Sequence, residues 1–113
     1  MATQIRLQDG ISILEPSGKI MGTSAIELRE AIAPQIETSE TPRILINFEK
    51  VNMIDSSGLG ALMEAQTLAT QKKGRIGIIH VSKHIKNLIV INRLMSMFEH
   101  FDSEASAVSA LSA

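Results

Sequence analysis

Cysteine is absent from this 113-residue chain. That removes disulfides, thiolate catalysis and cysteine-ligated zinc together, and it fits a cytoplasmic protein. Tryptophan and tyrosine are absent as well, and only 3% of the residues are aromatic. Aliphatic side chains and six methionines must therefore fill the core. No sign of charge prevails: 11 basic and 12 acidic residues leave a formal net charge of -1. A nucleic-acid binder normally shows a basic stripe and, for single strands, stacking aromatics. Both are missing, so no nucleic-acid partner is expected. Apolar runs are short, as in Leu88-Ile89-Val90-Ile91, against the roughly 20 residues of a membrane span. Met1 to Gly10 carries charge and no apolar h-region, so no signal peptide is expected either.

What is present suits one α/β domain. The length fits a single domain, and 44% of the residues are hydrophobic. Ile5 and Leu7 alternate with polar neighbours, as do Ile11 and Ile13, with Asp9-Gly10 between them. That pattern predicts a β-hairpin, because Asp and Gly tolerate the positive φ of a type I′ turn. Pro16 and Gly18 should end or bend the second strand. Ser24 and Glu27 have capping-box spacing and predict a helix start, with Leu28, Ile32 and Ile36 on its apolar face. Pro34 should kink or fray that helix. Thr38 to Pro42 reads as a polar loop, and Arg43 to Phe48 as a central strand buried on both faces.

The next helix carries Leu59, Leu62, Met63 and Ala69 on its apolar side. Lys72 and Lys73 suit the negative end of its dipole, and Gly74 suits the C′ position. Ile76 to Ile79 predicts another buried strand. Ser82 should cap a helix with Ile85, Leu88 and Ile89. Phe98 and Phe101 fall on a short edge strand, and Ser103 to Leu111 on an Ala-rich helix. The last dozen residues have little to bury, so partial disorder is expected there. The alternation of strands and helices implies right-handed crossovers and parallel pairs, which the opening hairpin makes a mixed sheet.

The segment Asp55-Ser56-Ser57-Gly58-Leu59-Gly60 carries the chemistry. Asp55 is a good N-cap, able to accept from the amides of Ser57 or Gly58. Ile54 and Leu59 stand at the hydrophobic-staple positions N′ and N4. Ser56 falls in the first turn, where amide donors lack partners within the helix. A helix N-terminus also favours a phosphate, and a phosphoserine adds about -1.5 to -2 charge. Spacing alone does not decide between a plain cap and a phosphorylation switch.

The hexad, set between a strand and an apolar helix, resembles the signature of the STAS domain family, the anti-sigma factor antagonists and their relatives. The hairpin, Gly18 and the strands at 44–48 and 76–79 occur in that family's order, so the resemblance spans a single domain over about residues 3–110. It implies a STAS fold: a mixed sheet of about five strands, opened by a hairpin, with four helices. It implies a bacterial switch in transcription regulation, not an enzyme, with Ser56 as phosphoacceptor. The implied partners are an anti-sigma factor that is also a serine kinase of the histidine-kinase-like ATPase type, and a serine phosphatase that resets the switch. The unphosphorylated form binds the anti-sigma factor, and phosphorylation releases it. Asp55 would orient the turn, Ser57 support it and Gly58 allow close approach of a partner's backbone. Leu59, Gly22 and Thr23 complete the implied partner-binding set.

Two departures stand out. The family's Gly-Glu-x-Asp run is replaced by Gly18-Lys19-Ile20-Met21-Gly22, and its later Gly-Leu by Asn92-Arg93-Leu94-Met95. The first leaves room for another reading, a STAS scaffold subunit of a stress-signalling assembly or of a lipid-transport ATPase that is not phosphorylated.

Rival chemistries are thinly signalled. Residues 54–58 lack the first glycine of a hydrolase Gly-x-Ser-x-Gly elbow. Gly58-Leu59-Gly60 lacks the third glycine of a dinucleotide fingerprint and the lysine of a P-loop. His80 and His84 stand outside a His-Glu-x-x-His frame, so neither a metal nor a cofactor is expected. Met53, Met63, Met95 and Met97 read as core or interface filler.

Overall fold

Asp9 and Gly10 both take positive φ, 52° and 79°, the backbone that a type I′ hairpin requires. The computed structural model, which describes residues 2–91 and 95–112, reverses the chain there. Strand β1 (Ala2–Gln8) runs antiparallel to β2 (Ile11–Ile20), with Gln8 opposite Ile11. Pro16 and Gly18 do not end β2. They lie where it changes neighbours, from β3 (Arg43–Asn47), which pairs with Ser12–Leu14, to β4 (Val51–Ile54), which pairs from Gly18 onward. The bend is at Gly18, where φ is +85° and the register shifts.

Strands β5 (Arg75–Ile79) and β6 (Glu99–Phe101) complete a six-stranded mixed sheet of order β1-β2-β3-β5-β6, with β4 on β2. The sixth strand, β4, exceeds the count of about five because its four residues show no period-2 alternation: the ends are buried and the middle exposed.

Both faces of β3 are buried, and its successive residues alternate between two core clusters, which sorts the helices into two layers. Ile44 and Ile46 join the large cluster under α1 (Thr23–Glu37), α2 (Ser56–Gln71) and α3 (Lys83–Ile91). Leu45 joins Ile11, Ile13 and Ile79 on the opposite face, under α4 (Glu104–Leu111). Without α4 those four aliphatic side chains would meet water. The C-terminal stretch is therefore the helix expected from Ser103 to Leu111, docked rather than partly disordered: Ala107, Val108 and Leu111 are buried, and Ser103 caps it through the Ser106 amide.

Three local expectations are corrected by tertiary context. Helix α1 starts at Thr23, not Ser24, behind Gly22 with φ 56°, and no side chain caps it. Past Pro34, α1 runs on for three residues to Glu37. Pro34 faces solvent while Ile32 and Ile36 pack below. At the end of α2 the left-handed residue is Lys73 (φ 59°) rather than Gly74. The amides of Lys73 and Gly74 reach back to the Thr70 and Ala69 carbonyls at 2.9 and 2.7 Å, the bonds of a Schellman motif. Gly74 is glycine for another reason: a Cβ there would sit 2.4 Å from the Pro42 carbonyl. Lys72 serves a different helix than expected. Its Nζ donates to the carbonyls of Ile36, Glu37 and Ser39, each at 3.0 Å, and so holds the end of α1.

The Ser82 cap forms as expected, its Oγ accepting from the Ile85 amide. The Asn92-Arg93-Leu94 stretch lies outside the described residues. Among the described residues no helix is long and apolar enough to cross a membrane.

Candidate phosphoacceptor and docking site

The two strands that feed α1 and α2 end side by side. Ile20 of β2 is in register with Ile54 of β4, and the Asp55 amide donates to the Ile20 carbonyl at 3.3 Å. Both chains then turn into helices, α1 from Thr23 and α2 from Ser56. The starts of two helices, Gly22-Thr23 and Ser56-Ser57, thus issue from neighbouring strand ends. Each helix carries a partial positive charge at this end. The helices stay together further along, where Arg29 and Glu64 form an ion pair at 2.5 Å.

Asp55 has extended backbone (φ -107°, ψ -173°), and its Oδ1 accepts from the Gly58 amide at 3.0 Å. Its carbonyl accepts from the Leu59 amide at 3.0 Å. The staple residues Ile54 and Leu59 are both buried in the main core cluster. Ser56 and Ser57 are exposed on the first turn, Asp55 is half-buried, and Gly22 and Thr23 are exposed. The first turn of α2 contains no acidic residue, so a phosphate on Ser56 would meet Asp55 as its nearest carboxylate in sequence.

Two members of the expected docking set face inward. Leu59 is buried at 6% exposure. Gly58 is buried too, and a Cβ on it would lie 2.5 Å from Ile54 Cγ1 and 2.7 Å from the Ile20 carbonyl oxygen. The missing side chain at Gly58 lets α2 sit against its own strands; it leaves no opening for a partner. Gly60 is the reverse case. It lies one turn beyond Ser56, and a Cβ there would meet nothing within 4 Å.

Large apolar side chains surround this end of the molecule. Met21 and Met53 precede the two helix starts and are each 38% exposed; Ile26 and Met63 are 48% and 43% exposed. Met63 was expected on the buried side of α2, but it lies about two turns beyond Ser56 on the same outward face. The buried side is made instead by Ala61, Leu62, Ala65 and Ala69. Sequence reasoning missed Gly60, Met21 and Ile26 as surface features. The available signal was Gly60 itself, a helix-interior glycine four residues after Ser56.

His80 and His100 lie elsewhere, lining a cavity of about 280 Å³ at the ends of β5 and β6, and His84 is exposed on α3. Among the described residues no three His, Asp or Glu side chains are placed to hold a metal ion.

Comparison with known proteins agrees with this architecture. The family profile described as "STAS domain" matches residues 2–107, and the chain belongs to the STAS domain family. The anti-sigma F factor antagonist of Paenibacillus polymyxa is 24% identical over 113 residues, covering 98% of this chain and 97% of that protein. An anti-sigma factor antagonist from Mycobacterium paratuberculosis has the same fold, with a TM-score of 0.85 at 22% identity over 99% of this chain and 94% of its own. So does the Bacillus cell fate determinant SpoIIAA in its phosphorylated form, with a TM-score of 0.74 at 19% identity over 96% of this chain and 98% of its own.

Proposed function

We propose that this chain is a cytoplasmic anti-sigma factor antagonist, a protein-binding switch set by phosphorylation of Ser56. The observation that carries the reading is the placement of Ser56: an exposed hydroxyl on the first turn of a capped helix, beside the start of a second helix. The names of its relatives and the phosphorylated state of SpoIIAA support it.

The unmodified surface offers Ser56, Ser57, Gly22, Thr23 and the apolar rim to an anti-sigma factor. That partner, a serine kinase of the histidine-kinase-like ATPase type, transfers the γ-phosphoryl group of ATP to Ser56 Oγ. ADP leaves and the hydroxyl proton is lost. The formal charge of the chain then falls from -1 to roughly -3, all of the change on one turn. The cap and the core beneath remain, because the helix N-terminus accommodates the anion. Docking is lost because an apolar contact would now have to desolvate a dianion. A serine phosphatase resets the switch by hydrolysing the ester to serine and phosphate.

Gly60 belongs to this surface. A glycine in a helix interior costs about 1 kcal/mol relative to alanine, and nothing in the fold occupies the space of its missing Cβ. A partner lying against bare helix backbone accounts for it.

The test is incubation with the cognate kinase and ATP, followed by mass spectrometry of the peptide holding Ser56 and Ser57. A single phosphate on Ser56, lost in Ser56→Ala, is the expected result. Ser56→Ala should retain the anti-sigma factor in a pulldown and Ser56→Asp should lose it. Phosphate placed only elsewhere, or equal capture by both variants, would overturn the reading.

A further inference from the structure

Strand β1 is an edge strand with the features of a pairing surface. It is seven residues long, bonded on one side only, to β2, and six of its residues are exposed. Leu7 is 76% exposed and Ile5 45%, unusual values for aliphatic side chains on a strand. Edge strands are normally guarded by lysines, prolines, bulges or a covering element. β1 contains no lysine and no proline, and its register with β2 is unbroken from Ala2 to Gln8. Its one charge, Arg6, is turned to the α4 face and paired with Glu104.

We propose that β1 pairs with β1 of a second copy of this chain, antiparallel about a two-fold axis at Ile5. Only that centre overlaps the full length of the strand, from Ala2 opposite the partner's Gln8 to Gln8 opposite the partner's Ala2. It also avoids a like-charge clash: Arg6 faces the partner's Gln4, whereas a centre one residue later would set Arg6 against itself. Thr3, Ile5 and Leu7 stand opposite Pro16, Leu14 and Ser12 of β2, so they share one face of the sheet. Pairing aligns them with the partner's Leu7, Ile5 and Thr3 in one apolar row. The two sheets join into one. Because the two β1 strands run antiparallel, so do the two β2 strands, and the acceptor turns at their C-terminal ends point in opposite directions. The dimer leaves both Ser56 turns free, whatever they bind.

Light scattering across about 1 µM to 1 mM, the span in which weak association is read, tests this on the full chain. The wild-type mass should rise with concentration toward twice the 12.3 kDa of one chain. Ile5→Lys places like charges face to face at the axis and should stay monomeric throughout, with an unchanged circular dichroism spectrum. Ile5→Glu should also stay monomeric, and an equimolar mixture of the two should regain the double mass. Met63→Lys, on helix α2 and away from the pairing strand, should behave as wild type. A wild type that is monomeric at every concentration leaves the edge to a foreign strand or to water and overturns the proposal. So does a dimer that survives Ile5→Lys or is lost in Met63→Lys.

Discussion

Replacing each of the two glycines of α2 by alanine should shift stability in opposite directions. Host–guest propensities treat the two alike: alanine gains about 1 kcal/mol over glycine in a helix interior. Position 60 should realise most of that, because its new Cβ meets nothing within 4 Å. At position 58 the Cβ would meet Ile54 Cγ1 at 2.5 Å, the Ile20 carbonyl at 2.7 Å and Ile20 Cγ2 at 2.9 Å. Carbon pairs are most favourable at about 3.5–4.0 Å, so α2 must lift from β2 and β4 by a large part of an ångström. The carbonyl belongs to β2, where Ile20 is also held by its pairing with β4, and it cannot rotate aside as a side-chain tip can. Overpacking of this kind costs about 1–3 kcal/mol, which outweighs the propensity gain. Gly58→Ala should therefore destabilise by roughly 1–2 kcal/mol and Gly60→Ala stabilise by about 0.5–1 kcal/mol. Urea denaturation monitored by circular dichroism reads both, with midpoints moving apart at constant m-value. A Gly58→Ala protein as stable as wild type would refute the packing argument. In a pulldown, Gly60→Ala should bind the anti-sigma factor more weakly although it is the more stable protein; equal binding would remove Gly60 from the docking surface.

Asp55→Ala removes the acceptor of the Gly58 amide and should cost about 0.5–2 kcal/mol in the same assay. Lys72→Met leaves three carbonyls at the end of α1 without their ammonium donor and should cost about 1–3 kcal/mol. Lys73→Gly relieves a left-handed lysine and should stabilise by about 0.5–1 kcal/mol. Hydrogen bonds from Arg75 at 2.8 and 2.5 Å hold the Glu99 carboxyl below its usual value of 4.5 in the folded state. Its contribution is therefore complete above that value and is lost as the pH falls below it through the depressed folded value. Urea midpoints at pH 6 and pH 3 should differ less in Glu99→Gln than in wild type, by a modest margin because the pair is partly exposed.

Much of this protein is decided locally, and those parts are legible in the sequence. Asp9-Gly10 needs only its own backbone preferences to make a type I′ turn, and Asp55 needs only the amide three residues on to cap α2. Runs such as Ile44-Leu45-Ile46 demand burial on both faces whatever their neighbours are. Other features depend on groups far along the chain. Gly58 and Gly60 are indistinguishable in sequence, and only the approach of Ile20 and Ile54 makes one a packing residue and the other an open surface. Lys72 suits the end of its own helix by spacing but bonds to the end of another. The tail from Ser103 reads as an Ala-rich helix with little of its own to bury, and the uncovered face of Ile11, Ile13, Leu45 and Ile79 is what docks it. The site divides the same way. Ser56 on a capped first turn follows from six consecutive residues, whereas its company, a second helix start and an apolar rim, exists because parallel pairing brings Ile20 and Ile54 side by side.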